Sequence, residues 1–457
     1  MQDKNLSIIS KNTTGLLLLI GVCLVFIIQI IFTLPIFTSI SAIGAISIVT
    51  LFLYRPLWGF LTLIVARASV DFFSSYFSVT IGENISLNLA SIFALLLIAA
   101  STLLIIIHRK TILRIPLFLP FSLIIIYTTF TYTYSIDRAS TFQETLRLLS
   151  IFMSFAAAYI LTIKIPKARL TIITTILLAS VIPLSFALYQ LVSGTGISDN
   201  TGTEGRLFGT FKHPNAFASF LMIIVAILTY RVFSKKITDT TNKNIAKILL
   251  FFTIAILLLT FSRGGWFALI IFFTIFSLLR APKLLFLSFG LVIVMFFTSQ
   301  TVHDRIEDIY NPPADSSIRW RFQQWKNAIA AWQLSPIYGY GAGTEIAIHE
   351  QQQGFYAGNP YTHNDFIKVL QETGVIGLTL FVFLIGTTLT LLIKKYRHLD
   401  DDDLKLFVLV VILLFIAEIG FGMSSNIWRS TAVQWLLWTL IACALSINAN
   451  QNKKQLL

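Results

Sequence analysis

Three observations predict an all-α, polytopic membrane helix bundle of 12–14 spans with one large outer loop containing an amphipathic helix. Of the 457 residues, 56% are hydrophobic and only 12% are charged. Mean hydropathy is +0.80. Apolar runs of about 20 residues recur along the whole chain, the length that crosses a hydrocarbon core as a helix. A soluble chain of this size would need far more polar surface, and nothing in the composition suggests a soluble catalytic domain.

In chain order the runs lie near 15–33, 36–54, 57–73, 87–107, 115–134, 145–163, 170–193, 214–230, 246–261, 264–279, 284–298, 366–393, 406–423 and 429–447. The first, GLLLLIGVCLVFIIQIIFT, is too long for a signal-peptide core and no A-x-A-like site follows it, so it reads as a retained helix. The third is interrupted by Arg67 and Asp71, and the 264–279 and 284–298 runs are short. Both cysteines, Cys23 and Cys443, lie in apolar runs and point to neither disulfide nor metal. No internal repeat is evident, which speaks against an inverted-repeat transporter. The runs divide the chain into an N-terminal bundle (1–298), an extracytoplasmic loop (299–362) and C-terminal membrane helices (363–457).

Lys and Arg set the orientation. With the N-terminus inside, alternate connections collect 22 of the 34 basic residues, so the net charge of +13 expresses the positive-inside rule rather than a nucleic-acid site. Both termini then face the cytoplasm. The other 12 are nine Arg and three Lys, whereas the inside set is 15 Lys and seven Arg. Cytoplasmic loops need only charge; a face enriched in Arg suggests recognition, because the guanidinium fork grips phosphate oxygens in pairs. Single members of the set could equally snorkel or pair with Glu.

The long hydrophilic segment has internal order. Ile318, Phe322, Trp325, Ile329 and Trp332 fall at helical spacing after Asp315 and Ser316, which are capping candidates. Arg319, Arg321, Gln323 and Lys326 lie off that stripe. The helix either lies at the membrane interface or presents its Arg residues to an anionic headgroup. SPIYGYGAGT then ends it and supplies a flexible Gly turn. Three further stretches face the same side: GRLFGTFKHPNAF with Arg206, Lys212 and His213; TFSRGGWF with Arg263; and SSNIWRS with Arg429. Arg at membrane depth is costly and usually marks a pathway, a pair or a bound anion.

The stretch YTHNDFIKVLQETGVIGL (361–378) places His363 in the first turn of a span. At 100° per residue Gly374 and Gly377 fall on nearly the same face, where small residues let a neighbouring helix approach. The bland alternative is a His that merely caps. The loop acids Asp304, Glu307, Asp308, Asp315, Glu345 and Glu350 form no D-x-D, so no metal site is expected.

Here the chain resembles the O-antigen ligase family and the Wzy-type polymerases of bacterial envelopes. His363-Asn364, nine residues, then Gly374-Val375-Ile376-Gly377 matches the family's H-[NSQ]-x9-G-x-x-[GTY] pattern. GTFKHPNAFASFL, LLLTFSRGGW, RFQQW and SPIYGYGAGT are similar to its other blocks, in the expected order across roughly 200–380. The resemblance implies a metal-independent, inverting glycosyltransferase without cofactor, in the bacterial cytoplasmic (inner) membrane with its active site on the outer face. Its donor would be an undecaprenyl-pyrophosphate-linked glycan. Its acceptor would be lipid A core, as in lipopolysaccharide biosynthesis, or a growing polysaccharide. Besides these, membrane lipids and no nucleic acid are the expected partners. The implied base is His363; the implied pyrophosphate ligands are Arg263, Arg321 and Arg206, with Arg319 and Arg429 beside them; Asn364 would orient the acceptor. A polymerase is the sibling reading and a lipid-linked-sugar transporter the non-enzymatic one. The physics agrees: a leaving pyrophosphate gains charge in the transition state, which fixed Arg side chains stabilise. The same charges lower the pKa of a neighbouring His and keep it able to accept a proton.

Overall fold

The computed structural model describes residues 10–32, 36–75, 78–81, 85–197, 205–282, 317–353 and 361–447. The expected 284–298 span, Arg305 and the loop acids Asp304, Glu307, Asp308 and Asp315 lie outside the described residues.

Helices α1 (Lys11–Phe32), α2 (Ile36–Tyr54) and α3 (Pro56–Ser69) come first, and Pro56 suits the start of α3 because a first-turn N–H has no helical partner anyway. A short antiparallel hairpin follows, β1 (Ser78–Ile81) with β2 (Ile85–Asn88), registering Val79 against Leu87. It is a small addition to the predicted all-helical architecture. Next come α4 (Leu89–Ile107), α5 (Phe118–Thr131) and α6 (Arg138–Lys164). The span expected over 170–193 is one apolar stretch, Ala168–Ser193, interrupted at Ser180 into α7 (Ala168–Ala179) and α8 (Val181–Ser193). Then follow α9 (Pro214–Phe233), α10 (Thr240–Leu258) and α11 (Arg263–Arg280). The hydrophilic segment contributes α12 (Ser317–Leu334) and α13 (Glu345–Gln353); α14 (Asp365–Arg397), α15 (Asp402–Gly422) and α16 (Thr431–Leu445) close the bundle. Among the described residues, eight helices are long and apolar enough to cross a membrane and five shorter apolar helices accompany them.

Helices α9, α15 and α16 are buried nearly all round and form the centre. Against them pack α10 and α11, while α6 lies along α16 and α5 along α14. Trp438 meets the edges of Phe121 at 4.7 Å and Phe155 at 6.1 Å. Hydroxyls join neighbouring helices where the alternative is an unsatisfied group in hydrocarbon: Ser154 to Thr439 at 3.1 Å and the Trp435 indole to Ser150 at 3.0 Å. Arg67 and Asp71, which interrupt the third apolar run, pair with each other and are buried. Around this centre the N-termini of α9, α11 and α14 gather at one end, beside the turn that follows α15. Asn215 of α9 bonds Ser262 at the start of α11 (2.9 Å) and Ser425 of the turn (2.9 Å), and Asp365 of α14 accepts from Trp428 N at 3.1 Å.

Candidate active site

His363 stands just before α14 with φ 51, one of four non-glycine residues with positive φ among the described residues. Such a conformation costs on the order of 1–3 kcal/mol and persists only where neighbours over-determine it. They do so here on both sides. Asn364 is the N-cap, its Oδ1 accepting from Phe366 N (3.0 Å) and Ile367 N (3.1 Å). Thr362 gives both its N–H and its hydroxyl to Glu345 Oε1, each at 2.7 Å, while its carbonyl accepts the Trp325 indole N–H at 2.7 Å.

Trp325 explains the R-x3-W spacing. It ties α12 to the residue before His363, and Arg321 lies one turn back on the same side of that helix. Arg321 and Trp325 are half-buried, with Gln324, Ala328 and Ala331 buried beside them. Of the expected apolar stripe, Phe322 and Ile329 are exposed while Trp325 reaches inward, beside a face that is otherwise small and polar. The buried face lies about 100° round the helix from the centre of the stripe, with Trp325 between them.

Arg206 opens the loop before α9. Its Nε donates to Thr260 O at 3.1 Å and its Nη2 reaches Asn215 Oδ1 at 3.5 Å. The loop is shaped by Gln190, whose Oε1 accepts from Phe208 N (3.1 Å) and Gly209 N (3.0 Å). His213 caps α9, its Nδ1 accepting from Asn215 N at 3.1 Å, and its ring centroid lies 6.5 Å from that of His363. Burial first, then the charges of Arg321, His213 and Arg206, push the His363 imidazole down to about 3. Two of the predicted Arg residues, from separate elements, thus act on the predicted base.

Arg263 begins α11, directly after Ser262, whose hydroxyl joins the same Asn215 that Arg206 reaches. A Cβ at Gly264 would run into Phe421 and Ser424, so the Gly pair of SRGG serves close packing. Arg429 is exposed and lies 4.5 Å over the ring of Tyr361, two residues before His363. Arg319 is exposed and sits about 200° round α12 from Arg321. Both lone pairs of Asn364 Oδ1 are used in the cap, which leaves its amide nitrogen as the group available to a substrate.

The Gly pattern has a different cause from the one expected. At Gly374 (φ 63, ψ −168) the helix is broken, so the 100° rule does not carry from His363 to Gly377. The Gly-rich turn inserts its backbone there: Val375 N donates to Pro336 O (2.9 Å), and Tyr340 N and Gly341 N to Glu372 O (2.9 and 2.8 Å). A Cβ on Gly374 would overlap the carbonyl of Ile337. The turn expected to be flexible is therefore docked. Gly377 does lie near a helix: a Cβ there would come within 3.3 Å of Tyr127 of α5, and closer still to Thr373.

Behind the break lies a buried ion network that the sequence pattern does not announce. Lys368 meets Glu372 at 2.8 Å and Glu144 at 3.8 Å, and Arg147 forks onto Glu144 while donating to Trp428 O at 2.6 Å. These groups line a cavity of about 70 Å³ with Asp365, Arg429 and Gln434.

Residues 248–382 match the model of the O-antigen ligase family. The match contains Arg263, Arg321 and His363, whereas Arg206 and the GTFKHPNAFASFL block, also part of the expected resemblance, lie before it. No curated protein matches the chain. With its eight long apolar stretches, the chain is a multi-pass membrane protein whose residues 248–382 match the O-antigen ligase family model.

Proposed function

We propose that the protein transfers a glycan from undecaprenyl pyrophosphate to an acceptor hydroxyl at the outer face of the bacterial inner membrane. The convergence of Arg321 and Arg206 on His363 carries the reading. His363 takes the proton of the acceptor hydroxyl while that oxygen attacks the anomeric carbon. The bond from that carbon to the pyrophosphate oxygen breaks on the opposite face, inverting the centre, and undecaprenyl pyrophosphate leaves with the added charge.

Arg206, Arg321 and Arg263 hold the leaving group. The N-termini of α9, α11 and α14 support them, since helix N-termini favour anions. A neutral imidazole with so low a pKa is a weak base. The bound pyrophosphate offsets the charges of Arg321 and Arg206 and lifts it toward the range where proton transfer is efficient. Arg429 over Tyr361 and the Asn364 amide are assigned to the acceptor side, and of the two α12 arginines Arg321, on the side of Trp325, is assigned to the cradle ahead of Arg319. The acceptor is lipid A core or a polysaccharide, and the C-terminal helices (363–457) supply the base beside α12, whose Trp325 bonds the residue before it.

Purified protein with a lipid-linked glycan and acceptor tests this in one assay. Transfer is expected to persist in excess EDTA and to vanish with His363→Ala. Activity lost to EDTA and restored by a divalent ion overturns the metal-free mechanism. Normal transfer by His363→Ala favours a transporter of lipid-linked sugar instead.

A further inference from the structure

We infer that Glu345 is a positioning residue for His363: its carboxylate, with the Trp325 indole, holds Thr362 on three sides and so sets the backbone direction from which the imidazole projects. The inference rests on the reading of His363 as the base. Thr362 is buried at 2% exposure and has its N–H, hydroxyl and carbonyl all engaged. Asn364 is fixed by the cap. Between two immobilised neighbours, His363 keeps its left-handed φ of 51. Were Thr362 released, relaxation to an ordinary negative φ would swing the ring away from Arg321 and Arg206.

Glu345 is itself held as a rigid part. It is 1% exposed, its N–H donates to Glu372 Oε1 at 3.1 Å, and Asn426 Nδ2 donates to both its oxygens at 3.1 and 3.0 Å. Its carboxylate accepts from the N–H and O–H of Thr362 and from the Asn426 amide. What it supplies is geometry: one oxygen that accepts two bonds from one residue. The Gly-rich turn joins the same assembly, since Glu372 also accepts from Gly343 N at 2.9 Å. The chain of contact runs from α14 through the turn and α13 back to the residue before the base.

The test measures kcat and donor KM of the full-length protein in lipid nanodiscs for wild type, Glu345→Ala, Glu345→Gln and His363→Ala. Glu345→Ala is expected to lower kcat by about 10²-fold, the cost of a misplaced reacting group, with donor KM changed less than about threefold. Glu345→Gln should recover to within about fivefold of wild type, because the amide oxygen keeps both Thr362 bonds. Its new N–H₂ meets Asn426 Oδ1 once that amide turns over, a buried acceptor with no other partner among the described residues. Wild-type turnover by Glu345→Ala overturns the inference. So does a Gln variant as slow as the Ala variant, which would make the charge the working feature, or a KM that rises as kcat falls. His363→Ala separates the two readings: if it is inactive while Glu345→Ala is normal, only the positioning role fails; if it is active, the base assignment fails first.

Discussion

Between Asp365 and Thr373 helix α14 buries Asp365, Lys368, Gln371 and Glu372, whereas from Val375 to Arg397 it buries Phe381, Leu384, Ile385 and Leu392. The second half is held as any bundle helix is, by dispersion and shape against neighbours such as α15. The first half has less of this adhesive, with Phe366 and Val369 packed against the core. It is placed by directional contacts: Lys368 to Glu372 at 2.8 Å, Asp365 to Trp428 N at 3.1 Å, Glu372 O to two amides of the Gly-rich turn. Gly374 separates the two, so the half that follows His363 is aimed largely by hydrogen bonds, with the Phe366–Phe381 ring contact across the break, rather than by a continuous helix. Directional contacts fix a group more finely than packing does, and they fail one bond at a time.

His363→Ala gives the largest effect expected of any change in the first half. Loss of a general base costs about 10²–10⁴-fold in rate, with the donor still bound because the Arg residues remain. Turnover alongside photocrosslinking of a lipid-linked donor measures both. Loss of donor binding together with turnover would mean that the ring holds substrate and does not take its proton.

Arg321→Ala and Arg206→Ala come next. Each removes a charged hydrogen-bonding group worth about 1.5–3 kcal/mol, so binding and turnover should both fall ten- to hundredfold, and Lys should restore only part because the fork is missing. Arg319→Ala should change neither, and Arg429→Ala, an exposed ring contact worth about 0.5–1 kcal/mol, should cost only a fewfold. Equal losses at Arg319 and Arg321 would erase the distinction drawn between the two faces of α12.

These ranks also show what was readable in the residues. Hydropathy located the bundle, while His363, Arg206, Arg263 and Arg321 were singled out by motifs that resemble the family's, helped by the conspicuousness of charge in an apolar sequence. The inward face of α12 was not readable, since Phe322 and Ile329 have lipid as an alternative to a core and Ala328 and Ala331 carry no signal of burial. Gln190 escaped because it bonds to backbone, and Glu345 and Glu372 because their backbone partners lie in other elements, which leaves no spacing behind. Gly374 was noticed as a small residue, yet its use is conformational. It holds φ 63 and ψ −168, a region that is essentially glycine-only.

Gly374→Ala attacks the separation of the two halves directly. The backbone conformation alone costs about 1–3 kcal/mol for any other residue, and the new methyl overlaps Ile337 O. Thermal unfolding in detergent should show a lower midpoint, and transfer should fall with it as the turn loses its seat. An unchanged midpoint and rate would mean that α14 tolerates being continuous, and that the break does not aim His363.

The finest test is the titration of His363 itself. Its largest perturbation is burial, which no Arg substitution removes; Arg321, His213 and Arg206 add to it, all lowering the pKa. ¹⁵N NMR of the imidazole should therefore show a neutral ring through the whole range from pH 5 to 8, and Arg321→Ala should raise the pKa while leaving it below 6.5. The folded state takes up its proton far lower than the unfolded chain does, so stability contributed by the neutral ring is full above about pH 6.5 and declines as pH falls below it. Arg321→Ala should soften that decline. Inorganic pyrophosphate should raise the pKa in wild type, because an anion between the guanidinium groups and the ring reverses the sign of the local field, and should do less in Arg321→Ala. A titration indifferent to both Arg321 and pyrophosphate would place burial alone in control of the ring, and the first half of α14 would then hold His363 without tuning it.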